Sequence, residues 1–333
     1  MCKLASVDHD ALAAQVLRQL RGARSQEAFR RKLGYRSNVA HAWETGRSWP
    51  TAARFLWAAE RLGYDVSDAV RTFYRRSPEW MATAPPATPA GVAALLADLR
   101  GQTPIVRLAE SSGFSRYSIA RWLSGEAEPR LPTFFALIEA TSLRLLDYLA
   151  TLFDPATLPA ASEAWERLEL ARRTAYELPW SHAVLRALEL DGYRSRRAHE
   201  PGWIAQRVGI SREEEQRCLE LLERAGQVEL CDDRWQLVDT LSVDTRRDPE
   251  RARELKVWWA QVGVEQLRTG KDGQFSYNLF AVSRADLEAL RELSRAYYRE
   301  VRTIVARSQP AETVALLNLQ LFELGEEGEG EAP

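Results

Sequence analysis

The chain has 333 residues, 45% hydrophobic and 28% charged, the balance of a globular protein with core enough for two to four domains. No apolar run approaches the ~20 residues that span a bilayer, and MCKLASVDHD does not read as a signal peptide, so a membrane protein is excluded and a cytoplasmic one expected. The formal net charge of -2 is unevenly spread: residues 1–79 hold 14 Lys/Arg against 8 Asp/Glu, residues 80–153 hold 6 against 6, and residues 154–333 hold 25 against 33, which predicts a polyanion partner for the first part and not the last.

From the N-terminus, ALAAQVLRQLRG, SQEAFRRKLG, SNVAHAWETG, TAARFLWAAERLG and SDAVRTFYRR read as five short helices. Gly34 ends the second and Gly46 the third, each where a left-handed residue is wanted. Between them the pattern predicts a tight turn and a helix of about nine residues. Ala40 and Trp43, three apart, face inward. The stretch ATAPPATPAG (82–91) is a Pro/Ala-rich linker that no helix crosses intact.

Beyond that linker the chain repeats itself. GYRSNVAHAWETGRSWP (34–50) returns as GFSRYSIARWLSGEAEP (113–129), with Gly34/Gly113, Trp43/Trp122, Gly46/Gly125 and Pro50/Pro129 each 79 residues apart. LRG occurs at 20–22 and 99–101, and Phe55 answers Phe134. A duplicated domain follows, with copies at 1–80 and 90–153.

Ser25-Gln26, Leu33-Gly34, Trp43-Glu44, Gly46 and Pro50 together resemble the Cro/lambda-repressor type of helix-turn-helix domain, over roughly residues 11–75. The resemblance implies DNA binding, with the third helix in the major groove and its N-terminal residues at the base edges. By position those are Arg36, Ser37 and Asn38, with His41 a turn later. Asn38 has the donor and acceptor to pair with adenine, and Arg36 reaches guanine or a phosphate. Gln26 heads the second helix, where a backbone N–H faces a phosphate, and Arg24, Arg47 and Arg54 add charge along the backbone track. His41 reads equally well as a solvated helix residue. The second copy keeps the frame and changes the surface. Ile105 replaces Gln26, Leu123 replaces Glu44, and the outward residues become Arg116, Tyr117, Ser118 and Arg121. Its reading stays open between DNA contact and a diverged copy that packs on the first or on a partner protein.

A second break, DPATLPAAS (154–162), leads into a helix at EAWERLELARRTAY. WSHAVLRALEL, then PGWIAQRVG with Pro201 in its first turn, then SREEEQRCLELLERAG with a Ser211/Glu214 capping box, read as three helices. VELCDDRWQLVD follows as a two-stranded wing turning at Asp232-Asp233. This segment, 163–240, looks like a winged helix. Glu213, Glu214 and Glu215 stand where a DNA reader would carry basic or amide side chains, and phosphates repel them. A structural or interaction role is therefore expected there.

The last segment, 245–325, predicts a helix near RARELKVWWAQVGVEQL, a strand at SYNLFAV, a long helix from Ser283 to Arg307, and a strand at TVALLNLQLFEL. Leu287, Leu290, Leu293, Tyr297, Val301 and Ile304 form one stripe on the long helix. Strand, helix, strand is a crossover unit, suited to dimerisation or to a small ligand. The tail GEEGEGEAP reads as disordered. WIAQRVGIS, LFAVSRADLEAL and LLNLQLFEL resemble a family of bacterial regulators with an N-terminal helix-turn-helix and an uncharacterised C-terminal domain. That resemblance implies transcriptional control. Its members commonly begin with one helix-turn-helix unit, so the tandem pair departs from the pattern.

The fold expected is therefore mainly α: tandem helix-turn-helix bundles, a winged helix and a small α+β domain. His9, His41, His182 and His199 lie in separate segments without metal-ligand spacing. Cys2, Cys218 and Cys231 stand apart without a CxxC pair. No nucleophile elbow or phosphate loop is present, so neither an enzyme nor a cofactor is expected. The function expected is a sequence-specific transcription regulator, cytoplasmic and associated with the nucleoid, on double-stranded DNA. Its C-terminal half would form a homodimer or receive an unknown effector or protein partner. The alternative is an adaptor whose helix-turn-helix-like domains grip a protein.

Overall fold

The computed structural model describes residues 7–238 and 243–325, and among these the chain is mainly helical with one two-stranded sheet. The acidic tail from residue 326 onward, read as disordered, lies outside the described residues, as does Cys2. The chain divides into two units: Met1–Arg173 with Leu222–Val228 and Val238–Arg247, and Thr174–Leu221 with Glu229–Leu237 and Asp248–Pro333.

Both copies of the repeat lie in the first unit. The first copy forms α1 (His9–Arg21), α2 (Gln26–Lys32), α3 (Val39–Glu44), α4 (Ala52–Arg61) and α5 (Val66–Tyr74). The second forms α6 (Pro89–Arg100), α7 (Ile105–Ser112), α8 (Arg116–Ser124), α9 (Leu131–Ser142) and α10 (Leu145–Leu149), followed by α11 (Ser162–Glu177). Left-handed backbone at Gly34 and Gly46 (both φ 72°) returns at Gly113 (φ 73°) and Gly125 (φ 77°), a conformation that costs an L side chain energy and glycine almost none. The repeated glycines are thus turn residues of the fold. α3 is six residues long rather than nine, because Asn38 caps it and leaves Arg36 and Ser37 in the preceding turn.

Leu12, Val16, Phe29, Phe55 and Leu56 from the first copy share one buried cluster with Leu95, Leu96, Phe134, Phe135 and Tyr148 from the second. Phe55 meets Phe135 edge to face at 6.3 Å, a favoured aromatic geometry. The Pro/Ala stretch between the copies is ordered against this core. A short 3-10 helix occupies Glu79–Ala82, and Pro89 opens α6. At Gly91 a Cβ would stand 2.0 Å from the Pro85 carbonyl oxygen, so only glycine fits beneath the proline turn.

The copies face one another across a local axis. Thr51 and Arg130, equivalent residues 79 apart, pair as an antiparallel bridge. Ala52 N donates to Pro129 O at 2.9 Å, and Leu131 N donates to Pro50 O at 3.0 Å. Exchanging the copies turns one bond into the other. The helices follow the same rule: α1 packs on α9 as α6 packs on α4, and α5 packs on its own equivalent α10. The symmetry is approximate, since α9 also packs on α6 and α7 of its own copy. The repeated prolines now have a cause. Lacking an N–H, each offers only its carbonyl, and that carbonyl accepts across the axis.

Beyond α11 the chain forms α12 (Ser181–Leu188), α13 (Asp191–Arg194), α14 (Trp203–Val208), α15 (Arg212–Arg224) and a hairpin of β1 (Val228–Cys231) and β2 (Arg234–Leu237), most of them in the second unit. These are the helices and wing expected, in order. The capping box is reciprocal: Ser211 N donates to Glu214 at 2.7 Å, and Glu214 N donates to Ser211 Oγ at 3.1 Å. Asp232 and Asp233 both have positive φ (48° and 59°), as a two-residue hairpin turn of the primed type demands. Pro201 stands two residues ahead of α14 rather than in its first turn, and Gly202 is the cap.

α16 (Pro249–Arg268) and α17 (Arg284–Arg307) complete the second unit. SYNLFAV and TVALLNLQLFEL, expected as strands of a crossover unit, form no ladder among the described residues. A strand exists only against a neighbouring one, and among the described residues these two segments have none. No described helix is long and apolar enough to cross a membrane.

Candidate nucleic-acid interface

The corner between α2 and α3 is built by side chains that hold each other. Ser25 Oγ accepts from Ala28 N at 3.1 Å and starts α2. Trp43 is buried at the end of α3, edge-on to Phe29 at 6.3 Å and to Tyr35 at 5.5 Å. The second copy repeats the contact with Phe114 and Trp122 at 5.3 Å. These rings fix the angle at which α3 leaves the bundle, and so where its outer face points.

A line of polar groups runs over that aromatic floor. Arg21 donates to both oxygens of Glu44, at 2.5 and 3.3 Å. Gln26 Nε2 donates to Glu44 at 3.4 Å, and Asn38 Nδ2 donates to Gln26 Oε1 at 3.2 Å. Asn38 Oδ1 accepts from His41 N at 3.3 Å, capping α3. The Glu44 carboxylate holds the Arg21 guanidinium above its ordinary pKa. Four residues spread over three helices are thereby tied to the start of α3.

Each residue expected at the interface has a definite place. Arg24, Arg36, Ser37, Asn38, His41 and Arg47 are exposed. Arg36 and Ser37 lie in the turn, and Arg47 follows Gly46. His41 lies on α3 with only its backbone engaged in the bonds that order this corner. Gln26 is half-buried because it points at Glu44 and Asn38. Arg54 departs from the expectation of a free cation. Its guanidinium lies 4.8 Å over the Tyr35 ring and 3.9 Å over Trp57, and donates to Tyr35 Oη at 2.5 Å. Stacking on two rings makes it part of the corner's support.

Three contributors were missed from sequence: Arg21, Tyr35 and Trp57. A signal for Arg21 was present in the repeat itself. The second copy keeps the arginine, as Arg100, where Leu123 stands for Glu44 and Ile105 for Gln26. Arg100 Nε is accordingly buried without a hydrogen-bond partner. The arginine and the glutamate form one device, whole in the first copy and halved in the second.

α8 starts two residues earlier than α3 does in the repeat register, because Ser115 caps it and accepts from Ser118 N at 3.0 Å. Arg116 and Tyr117 therefore stand on the helix itself. Tyr117 is 71% exposed, and Arg121 lies 5.5 Å over its ring and 3.8 Å from Glu126. So long and exposed an ion pair is weak.

The winged segment handles its acidic run differently from expectation. Glu215 is only 1% exposed and turns inward. It accepts from Ala205 N at 2.6 Å and from Gly202 N at 3.1 Å, at the start of α14. His199 Nε2 lies 3.3 Å from it, and His199 Nδ1 lies 3.1 Å from Tyr193 Oη. Burial pulls His199 below the usual imidazole range and pushes Tyr193 up to about 12. Burial and Glu215 raise Cys218 to about 12 as well, which keeps it a thiol. Only Glu213 of the three glutamates is free of such a task, since Glu214 serves the capping box. No three described His, Cys, Asp or Glu side chains converge as a metal site.

Residues 159–324 match the model of a domain of unknown function (DUF4423). No curated protein and no solved structure matches the chain.

Proposed function

We propose that this protein is a sequence-specific DNA-binding transcription regulator that reads the major groove with α3 and the turn before it. One observation carries the reading. Arg36, Ser37, Asn38 and His41 are all exposed at one corner, and that corner is braced from behind by Arg21, Glu44, Gln26 and the Tyr35–Trp43 rings. A reading edge needs both properties, because base contacts discriminate only when the side chains making them are held in place. The excess of positive charge in residues 1–79 supplies the attraction to phosphate.

Selection from a random duplex pool tests the reading. Asn38 serves as helix cap as well as reader, so its replacement by alanine would mix two effects, the cap alone being worth about 1 kcal/mol. Asn38→Ser keeps a capping oxygen and removes the amide. It is expected to relax preference at one base position by about tenfold, with the melting temperature held. Arg47→Ala is expected to weaken all duplexes about equally. Unchanged selectivity in Asn38→Ser would remove α3 from the reading edge.

We further propose that a second copy of the chain covers the C-terminal segment. Leu293 and Ile304 on the stripe of α17 are 65% and 64% exposed, and Leu279, Phe280, Leu319 and Phe322 stand open on the two unpaired extended segments. Apolar surface of this kind suits association between identical chains. Leu293→Glu with Ile304→Glu is expected to convert a dimer to a monomer in sedimentation, without lowering the melting temperature of the first unit. A wild-type chain that sediments as a monomer at micromolar concentration would refute the pairing.

A further inference from the structure

The pairing of the two copies says more than that they are related. A direct repeat, one copy translated past the other, would bring unlike residues together. Here Thr51 meets its own equivalent Arg130, and the two flanking hydrogen bonds are each other's images. The helix pairs α1–α9 with α6–α4, and α5 with α10, extend the same relation through the core. Rotation by half a turn about an axis leaves height along that axis unchanged. α3 and α8, equivalent under that rotation, therefore sit at similar levels on opposite sides of it.

Duplex DNA has local twofold axes of its own, perpendicular to its length. For two-fold dimers of helix-turn-helix proteins the operator is an inverted repeat for this reason. We infer that one chain carries a complete two-sided reading head, and that its target is a duplex with two inverted half-sites of different sequence, the second read by Arg116, Tyr117 and Arg121 of α8. The inference rests on the DNA reading proposed above. It assigns the second copy a task that its neutral charge had left open.

The side chains fit that assignment. Arg116 and Tyr117 are exposed on the helix that corresponds to α3, and Arg121 is a turn beyond. The weak Arg121–Glu126 contact yields to a phosphate or a guanine edge at little cost. None of the three matches its counterpart in the first copy, so identical half-sites would leave one head mispaired. Sharing a core rather than a tether fixes the distance between the heads, and with it the spacing of the half-sites.

The test uses the full chain and the duplex recovered from a random pool. Two inverted, non-identical half-sites are expected, protected on one face of the duplex. Inserting half a helical turn (about 5 bp) between them turns the second half-site to the far face, and affinity is expected to fall to that of a duplex with the first half-site alone. Arg116→Ala with Arg121→Ala is expected to cost about tenfold to hundredfold on the full site and nothing on the first half-site alone. Its melting curve should match the wild type, because both side chains lie outside the core. A perfect palindrome whose binding ignores the α8 substitutions would mean that two chains each read with α3, and would overturn the inference while sparing the DNA reading. A direct repeat, or protection of one half-site only, would overturn it likewise. No duplex binding at any salt would overturn the DNA reading and this inference with it.

Discussion

Raising salt from about 50 to about 200 mM is expected to weaken duplex binding about 500-fold. Each phosphate neutralised by an arginine contributes about -0.9 to the slope of log affinity against log salt on B-DNA. Arg24, Arg36 and Arg47 of the first copy and Arg116 and Arg121 of the second are the exposed or half-exposed cations assigned to the duplex above. Five such contacts from one chain make a slope of about -4.5, and a fourfold rise in salt then costs about 500-fold. Arg54 is left out of this sum because Tyr35 and Trp57 enclose it. If the first copy binds alone, three contacts reduce the same change to about 40-fold. The slope thus measures how many heads engage, independently of any base sequence. An adaptor that grips a protein would show little duplex affinity at either salt, and no steep slope. That result would reject the regulator reading.

The parts of this structure legible beforehand were those written in short windows. Gly34, Gly46 and their images mark left-handed turns because few other residues tolerate that backbone. Ser211 and Glu214 mark a helix start because each satisfies a backbone donor of the other. Asp232-Asp233 marks a hairpin because both must take positive φ. Such signals involve residues a few positions apart, where the chain alone sets the geometry.

What escaped was set by partners far away in sequence. The repeated proline read as one mark of the repeated phrase, and its role across the axis depends on a second segment 79 residues away. Asn38 was expected at a base edge, and its amide nitrogen donates to Gln26, a residue of the preceding helix. Glu215 looked like surface charge in a run of three, and it turns inward because α14 leaves backbone donors open beside it. The segments at 276–282 and 313–324 have the composition of strands, the second with Leu317, Leu319 and Leu321 in alternation, and such patterns say nothing about whether a neighbouring strand is available. In each case tertiary pairing, which a local pattern does not carry, decided the outcome.

Arg172→Ala is expected to destabilise the first unit by about 3–5 kcal/mol, the largest effect of any single change considered. Arg172 on α11 is buried, and its guanidinium donates to Asp147 Oδ1 at 2.7 Å, to the Asp244 backbone carbonyl at 3.1 Å and to Glu169. Arg144 donates to Asp244 at 2.5 Å and to the Phe73 carbonyl at 3.0 Å, so two arginines and two aspartates alternate beneath α10. Removing one member leaves Asp147 ionised in a buried place with an insufficient counter-charge. For a unit of this size the loss corresponds to a drop of about 6–20 °C in melting temperature. Burial already holds the Asp147 carboxyl above its ordinary pKa, against the pull of Arg172 and Arg144. Without Arg172 that pKa rises further. A carboxyl whose folded pKa exceeds its unfolded one favours the folded state as it takes up its proton, so the deficit of the variant should be largest at neutral pH and shrink on acidification. Replacing both partners, Arg172→Met with Asp147→Leu, removes the unpaired charge and should recover most of the loss. Denaturant melts of the three proteins at pH 5 and pH 7 check both points. A loss under about 1 kcal/mol, or a deficit that grows toward acid, would show that solvent reaches the pair and that the shared core of the two copies does not depend on it.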